Sequence, residues 1–231
     1  MPGLGADADL FFPQIEHFGS RLWVYTGLSE TQLEGQPPSM TWAAERCATI
    51  IATQLKSDRP YVLGGMSFGG SLAMQVASLL ERKPSAIALI ACNRTSATIS
   101  QGFRVSRRIG SLLPDSMIRK SLGVVSSLFA RREQLGVDDR DRLRAMANRA
   151  QIRGLLWGAA AVASWRFDDA AASATGVPIH QIHGQHDWVI PFHRPHVTQE
   201  LKGARHLITW THPEGVNRFL EDVLADVRAR G

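Results

Sequence analysis

Cys47 and Cys92 are the only cysteines in the 231-residue chain. Two are too few for a disulfide framework or a cysteine-rich zinc site, and they fit a reducing compartment. Long apolar runs are missing too. No stretch reaches the roughly eighteen residues that a membrane-spanning helix needs, and the opening MPGLGADADL has neither a basic start nor an extended apolar core. These absences predict a cytoplasmic protein without a membrane span. Acidic residues are the scarcer charge, for a net charge of +5 and a pI near 9.8. The excess is local: between Phe103 and Phe167, thirteen Arg or Lys stand against five Asp or Glu. That segment contains no DNA- or RNA-binding motif and no aromatic interleaving of its basic residues. It reads as a solvated helical surface rather than a nucleic-acid interface, with recognition of an anionic substrate by Arg107 and Arg108 as the functional alternative.

A hydrophobic fraction of 44% with 20% charged residues belongs to a folded globular chain, long enough for one large domain or a domain carrying an insertion. Leu22–Tyr25 reads as a short strand and Trp42–Leu55 as a helix. Tyr61–Leu63 is a second strand, Ser71–Leu80 a second helix, and the fully apolar run Ala86–Ala91 a strand covered on both faces. Strands alternating with helices predict an α/β protein with a mostly parallel, doubly wound sheet. The alternation stops over residues 101–167, where only helical segments such as Arg140–Ile152 and Gly154–Ser164 appear, and it resumes at Val177–Ile182. The expected organisation is therefore a core of residues 1–100 and 168–231 with a helical cap inserted over 101–167. Near the C-terminus, Thr211-His212-Pro213-Glu214 carries helix-start signals, followed by one apolar face of Val216, Phe219, Leu220, Val223, Leu224 and Val227.

The stretch Gly64-Gly65-Met66-Ser67-Phe68-Gly69-Gly70 places one serine between two glycine pairs. Glycine weakens both strands and helices, so four of them here mark either a structural turn or a turn that presents the serine. The strand before it and the helix after it favour the second reading, a Gly65-x-Ser67-x-Gly69 nucleophile elbow with the Phe68 N–H aimed at a developing oxyanion. A nucleophilic serine needs a base, and the base a carboxylate, in the chain order Ser, Asp, His. Asp187 lies in the loop after the strand near Ile182, and His206 follows the turn Gly203-Ala204 ahead of the terminal helix.

On these motifs the chain resembles the α/β-hydrolase superfamily with a helical cap. GGMSFGG matches the elbow, HGQHDWVIP the acid loop, and ARHLITWTHPEGVN the histidine loop, except that Arg205 stands directly before the histidine where the superfamily usually has glycine. PGLGADADLF resembles the oxyanion loop that follows the superfamily's third strand, which makes the Leu4 N–H the second oxyanion donor by resemblance. The resemblance implies a serine hydrolase acting on a small carboxylic ester or related acyl substrate through Ser67, His206 and Asp187, with no cofactor and no metal. Thioesterase, lactonase, carbon–carbon bond hydrolase and acyltransferase activities stay open on the same triad, as does a catalytically silent binding protein. A serine rather than an aspartate at the elbow argues against dehalogenase and epoxide hydrolase chemistry. The superfamily also builds three strands before its oxyanion loop, whereas this sequence opens at the loop. The expectation is that the natural protein begins upstream of Met1, or else that Leu22–Tyr25 pairs directly with Tyr61–Leu63 and displaces Leu4.

Other residues invite rival readings. His180, His183 and His186, with His193 and His196 nearby, suggest a metal cluster, but their spacing on a strand scatters them over both faces. His212 competes with His206 as the base, yet it sits beside Pro213 at a helix start. Asp7 and Asp9 read as capping or solvating the first loop. Asn93–Thr95 follow an apolar strand, where parallel sheets place ligands. Trp157 and Trp165 read as packing in the cap.

Overall fold

The computed structural model describes residues 1–55, 58–96, 114–192 and 196–230. Within them, β1 (Val62–Met66), β2 (Ala86–Ile90), β3 (Ile179–Gly184) and β4 (Gln199–Leu201) form one sheet in the order β1-β2-β3-β4, every neighbouring pair parallel. Parallel neighbours need crossovers, and helices supply them. The elements are α1 (Phe12–Phe18), α2 (Glu30–Leu33), α3 (Met40–Gln54), α4 (Phe68–Leu79), α5 (Asp115–Arg132), α6 (Val137–Arg149), α7 (Ile152–Ser164), α8 (Asp169–Ala174), α9 (Ile208–Thr211) and α10 (Pro213–Arg230).

All five residues of β2 are buried, because helices cover both faces of the sheet. Ile87 and Leu89 point into a core with α3, α4 and part of α7, whereas Ala88 and Ile90 point into a second core with α9 and α10. The apolar stripe expected on the terminal helix is the one that packs: Val216, Phe219, Val223 and Val227 are buried, with Leu220 against the same core. Cys47 and Cys92 are both free and buried.

Several elements differ from the sequence-based expectation. The helix after the elbow starts at Phe68, three residues early, since Ser67 itself is its N-cap. Leu22–Tyr25 is not a strand. Trp23 is 54% exposed, Tyr25 turns inward to Cys47, and among the described residues the segment pairs with no strand. Direct pairing of Leu22–Tyr25 with β1 does not occur. Among the described residues β1 is an edge strand, met on its outer side by Met1, whose amino group donates to Gly64 O (2.9 Å) and whose carbonyl accepts from Met66 N–H (3.0 Å). Leu207 is the N-cap of the short helix α9, and among the described residues the last strand is Gln199–Leu201. The segment holding Arg107 and Arg108 lies outside the described residues.

The core makes a direct prediction. Phe219 is 2% exposed and among the largest fully buried side chains, so Phe219→Ala should cost about 3–5 kcal/mol. Urea denaturation should show a lower midpoint with an unchanged slope.

Candidate active site

The site begins with a backbone constraint. β1 runs into α4 so abruptly that a Cβ on Gly65 would lie 2.3 Å from the carbonyl carbon and oxygen of Gly69. Only glycine permits that approach. Between them Ser67 sits at φ 53°, ψ −121°, a conformation that costs a non-glycine residue about 1–3 kcal/mol and marks functional turns. Its N–H donates to Ile90 O (3.0 Å), which ties the turn to the end of β2. The opening loop is equally close: a Cβ on Gly69 would lie 2.2 Å from Met1 O and 2.4 Å from Pro2 O, and one on Gly3 3.7 Å from Ser67 Cβ. Leu4 is thereby brought beside the first turn of α4. Among the described residues neither the Leu4 nor the Phe68 N–H has a hydrogen-bond acceptor.

The acid and the histidine come from the far strands. Asp187 Oδ1 accepts from Val189 N–H and Ile190 N–H (both 2.9 Å), and Oδ2 accepts from His206 Nδ1–H at 2.7 Å. Its side chain is fully buried. Burial pushes the carboxyl up, but the hydrogen bonds and positive charge offered by His183 and His206 outweigh it and hold the group at about 2. With Nδ1 donating to the acid, the His206 Nε2 lone pair is free to take a proton. Ser67 and His206 line one cavity of about 260 Å³, walled mainly by apolar side chains including Leu122, Val125, Phe129, Leu143 and Met146, with Ser126 among them. Among the described residues no hydrogen bond links the Ser67 hydroxyl to the ring; such bonds often tighten only with substrate bound.

The other sequence candidates are dispersed. His183, considered there as a metal ligand, donates Nε2–H to Ile190 O (2.9 Å) and lies 3.2 Å from Asp187 Oδ2. His180 Nε2 lies 3.3 Å from Asp226 Oδ2, and His186 is exposed. His193 falls outside the described residues, and among those described no group of three metal-ligating side chains converges. His212 closes α9 with Nδ1 2.9 Å from Thr211 Oγ1. Asp7 caps the first turn by accepting from Asp9 N–H (3.0 Å), and both carboxylates hold Arg149. Asn93 Nδ2 donates to Pro191 O (2.9 Å), fastening the acid loop. Trp165 stacks on Phe167 in the core, while Trp157 donates Nε1–H to Gln36 O (2.9 Å).

One positioning residue carried no sequence signal. Glu133, at the C-cap of α5, is 3% exposed; its carboxylate accepts from Leu207 N–H (2.8 Å) and from Trp188 Nε1–H (2.6 Å). It clasps the histidine loop to the acid loop. Gly184 performs the same task sterically, since a Cβ there would lie 2.1 Å from Arg205 O. The room at Gly184 is taken by the Arg205 carbonyl, while the Arg205 side chain donates to the Arg132 carbonyl.

A strained serine elbow at the end of one strand, facing a buried acid–histidine pair at the ends of two others, can be set beside known proteins. Residues 16–190 match the family described as Thioesterase domain. The chain belongs to the thioesterase-domain family. No curated protein matches it. Among solved structures, the thermophilic esterase from Thermogutta terrifontis aligns at TM-score 0.78 and 20% identity, over 98% of this chain and 88% of that one. The enol-lactonase from Burkholderia xenovorans LB400 aligns at TM-score 0.74 and 15% identity, over 97% and 89%. MenH from S. aureus aligns at TM-score 0.73 and 12% identity, over 99% and 92%. At such identities the likeness is one of fold, and with the family match it makes the thioesterase-domain chain an α/β-hydrolase.

Asp187 gives the site a measurable pH signature. Its folded pKa, about 2, lies below an unfolded value near 3.9, so the carboxylate's contribution to stability is complete above about pH 4 and is lost as the pH falls toward 2. Across that window the wild type should lose on the order of 2 kcal/mol more than Asp187→Asn does, read from urea denaturation at each pH.

Proposed function

We propose that the chain is a serine hydrolase that cleaves a small carboxylic ester or related acyl compound through an acyl-enzyme, with Ser67, His206 and Asp187 as the triad. The observation that carries this reading is the strained Ser67 backbone sharing a cavity with a histidine whose Nδ1 is held by a buried carboxylate. As Ser67 Oγ attacks the carbonyl carbon, His206 Nε2 takes the hydroxyl proton and the carbonyl π pair moves onto oxygen. The N–H groups of Leu4 and Phe68 stabilise that oxyanion. Collapse of the tetrahedral species expels the leaving group, which takes the proton from His206 Nε2. Water then gives a proton to the same nitrogen, attacks the acyl-enzyme and releases the carboxylic acid and free Ser67. Asp187 fixes the tautomer and stabilises the imidazolium; it does not itself take the proton. The helices α5–α7 act as a cap, since their side chains form most of the apolar wall opposite Ser67.

A thioester is a specific second substrate class, favoured by the family match over residues 16–190. Acyl-thioester and acyl-ester hydrolysis by the same preparation would rank the two.

A fluorophosphonate probe should label the wild type at Ser67 and leave Ser67→Ala unlabelled and at least about 1,000-fold slower on an activated ester. His206→Ala should be nearly as inactive, because nucleophile and base act as a unit, whereas His212→Ala should keep most of the activity. Retention of more than about a tenth of the activity by Ser67→Ala would refute the assignment.

A further inference from the structure

A second cavity lies behind the first and belongs to none of the steps above. It has a volume of about 330 Å³ and is lined by Tyr25, Leu28, Cys47, Phe68, Leu72 and Trp157, among others. Neither Ser67 nor His206 borders it, but Leu4 and Phe68, the two oxyanion donors of the proposed mechanism, do. The two cavities share the segment Gly3–Ala6 on one side and Met146, Ala150 and Leu155 on the other. The partition is tight: a Cβ on Gly5, at φ +72°, would come within 2.9 Å of Leu155 Cδ1, and a Cβ on Gly158 within 2.7 Å of Leu4 Cδ1. On α7 Leu155 stands between Gly154 and Gly158, and its side chain meets the opening loop at Gly5 where the two cavities adjoin.

The helix carrying it is firmly seated. Arg153 N–H, in the first turn of α7, donates to Glu30 Oε1 (2.9 Å); Gln151 Oε1 accepts from Glu30 N–H (3.2 Å); and Trp157 Nε1–H donates to Gln36 O (2.9 Å). The rear cavity is also electrically quiet. Arg149 at its rim is paired with Asp7 and Asp9, while burial pushes the Cys47 thiol up to about 11 and raises Tyr25, so both stay neutral. Among its described lining side chains no free cation waits for a substrate carboxylate.

The chemistry fixes which part of a substrate faces which cavity. The leaving group takes its proton from His206 and therefore occupies the front cavity, which His206 borders. The carbonyl oxygen points at the Leu4 and Phe68 N–H groups, and the acyl substituent, opposite the leaving group, is directed past them. We propose that the rear cavity is an acyl subsite for an uncharged apolar chain and that Leu155 is the residue that sets how long a chain can enter it. This rests on the serine hydrolase reading above. With Leu155 in place the site favours short acyl groups; removing its isobutyl group joins the two cavities into one channel.

The test is the acyl-length profile of Leu155→Ala, measured twice: as kcat/KM for p-nitrophenyl esters from acetate to decanoate, and as the rate of Ser67 labelling by fluorophosphonates of matching alkyl length. Leu155→Ala should raise the decanoate-to-acetate ratio at least about tenfold while keeping acetate hydrolysis within a few-fold of wild type, and Leu155→Phe should shift the ratio the other way. The same direction is expected in labelling, which needs no turnover. An unchanged ratio in a variant that still hydrolyses acetate would overturn the proposal, as would a shift seen only when the alcohol is lengthened at constant acetyl. If the wild type were neither labelled at Ser67 nor active on any ester, the triad reading would fail first and the subsite with it.

Discussion

Everything at the site depends on one backbone contact, the crossing of β1 and α4 at Gly65 and Gly69. Those two residues approach so closely that a side chain on Gly65 has no room, and the approach forces Ser67 into its positive-φ conformation at the apex. The consequences spread outward by contact. Gly69 has no side chain, so the carbonyls of Met1 and Pro2 can lie against it, which sets Leu4 beside Phe68. Leu4 then packs into the space left by Gly158 of α7, so a second missing Cβ lets the opening loop meet that helix. Gly70 extends the pattern toward β2, where a Cβ would lie 2.8 Å from Cys92 Cβ and Sγ.

Opposite this steric assembly stands an electrostatic one. A carboxylate as buried as Asp187 carries a desolvation penalty of several kcal/mol unless its lone pairs are satisfied. Two backbone N–H groups, His206 and the nearby His183 meet that requirement, and the net result favours the charged form. The donors sit on loops, so the loops themselves must be held. Asn93 fastens the acid loop to the end of β2, and Glu133 joins the acid and histidine loops from α5. A buried acceptor that receives two good donors is rigid as well as stable, which suits a histidine whose ring must face one direction.

How much of this could be read from sequence depended on whether a residue's role was local. The elbow was legible because the approach of Gly65 to Gly69 and Gly70 lies within five residues of sequence, and Ala86–Ile90 because a strand buried on both faces is apolar throughout. The α10 stripe was legible from its helical spacing. Leu22–Tyr25 misled, since its composition suits a strand but pairing is a property of the partner, and among the described residues no strand pairs with it. Gln199–Leu201 escaped notice for the opposite reason: three half-buried residues carry no apolar pattern, and parallel pairing with β3 alone makes them a strand. His183 could be placed on a strand but not on a face of it. Glu133 was hidden most completely, because a glutamate after two arginines in a basic segment reads as solvated surface, and its partners lie 55 and 74 residues away.

Glu133 also bears on how the molecule divides its labour. In a parallel sheet the strand ends gather the reacting groups, and the connecting segments vary the pocket above them. Here the division is incomplete. Helices α5–α7 supply much of the apolar wall, yet α5 also reaches down to hold the backbone of Leu207, the neighbour of His206. Phe129, one turn earlier, presents its ring edge-on to His206 at a centroid distance of 6.4 Å and tilts against Trp188 at 5.0 Å. A shift of α5 that enlarges the pocket must therefore also move the acceptor of Leu207 N–H and the ring beside the histidine. Pocket shape and histidine geometry are coupled through this helix, so under the proposed triad a change of pocket that acts through α5 carries a cost in the alignment of His206. Leu155 lies on α7, which is tied to α2 and the Gln36 backbone; its link to α5, Arg153 Nε to Asp115 Oδ2 at 3.8 Å, is at the opposite end of that helix from Glu133, so a change at Leu155 leaves the Glu133 clasp in place.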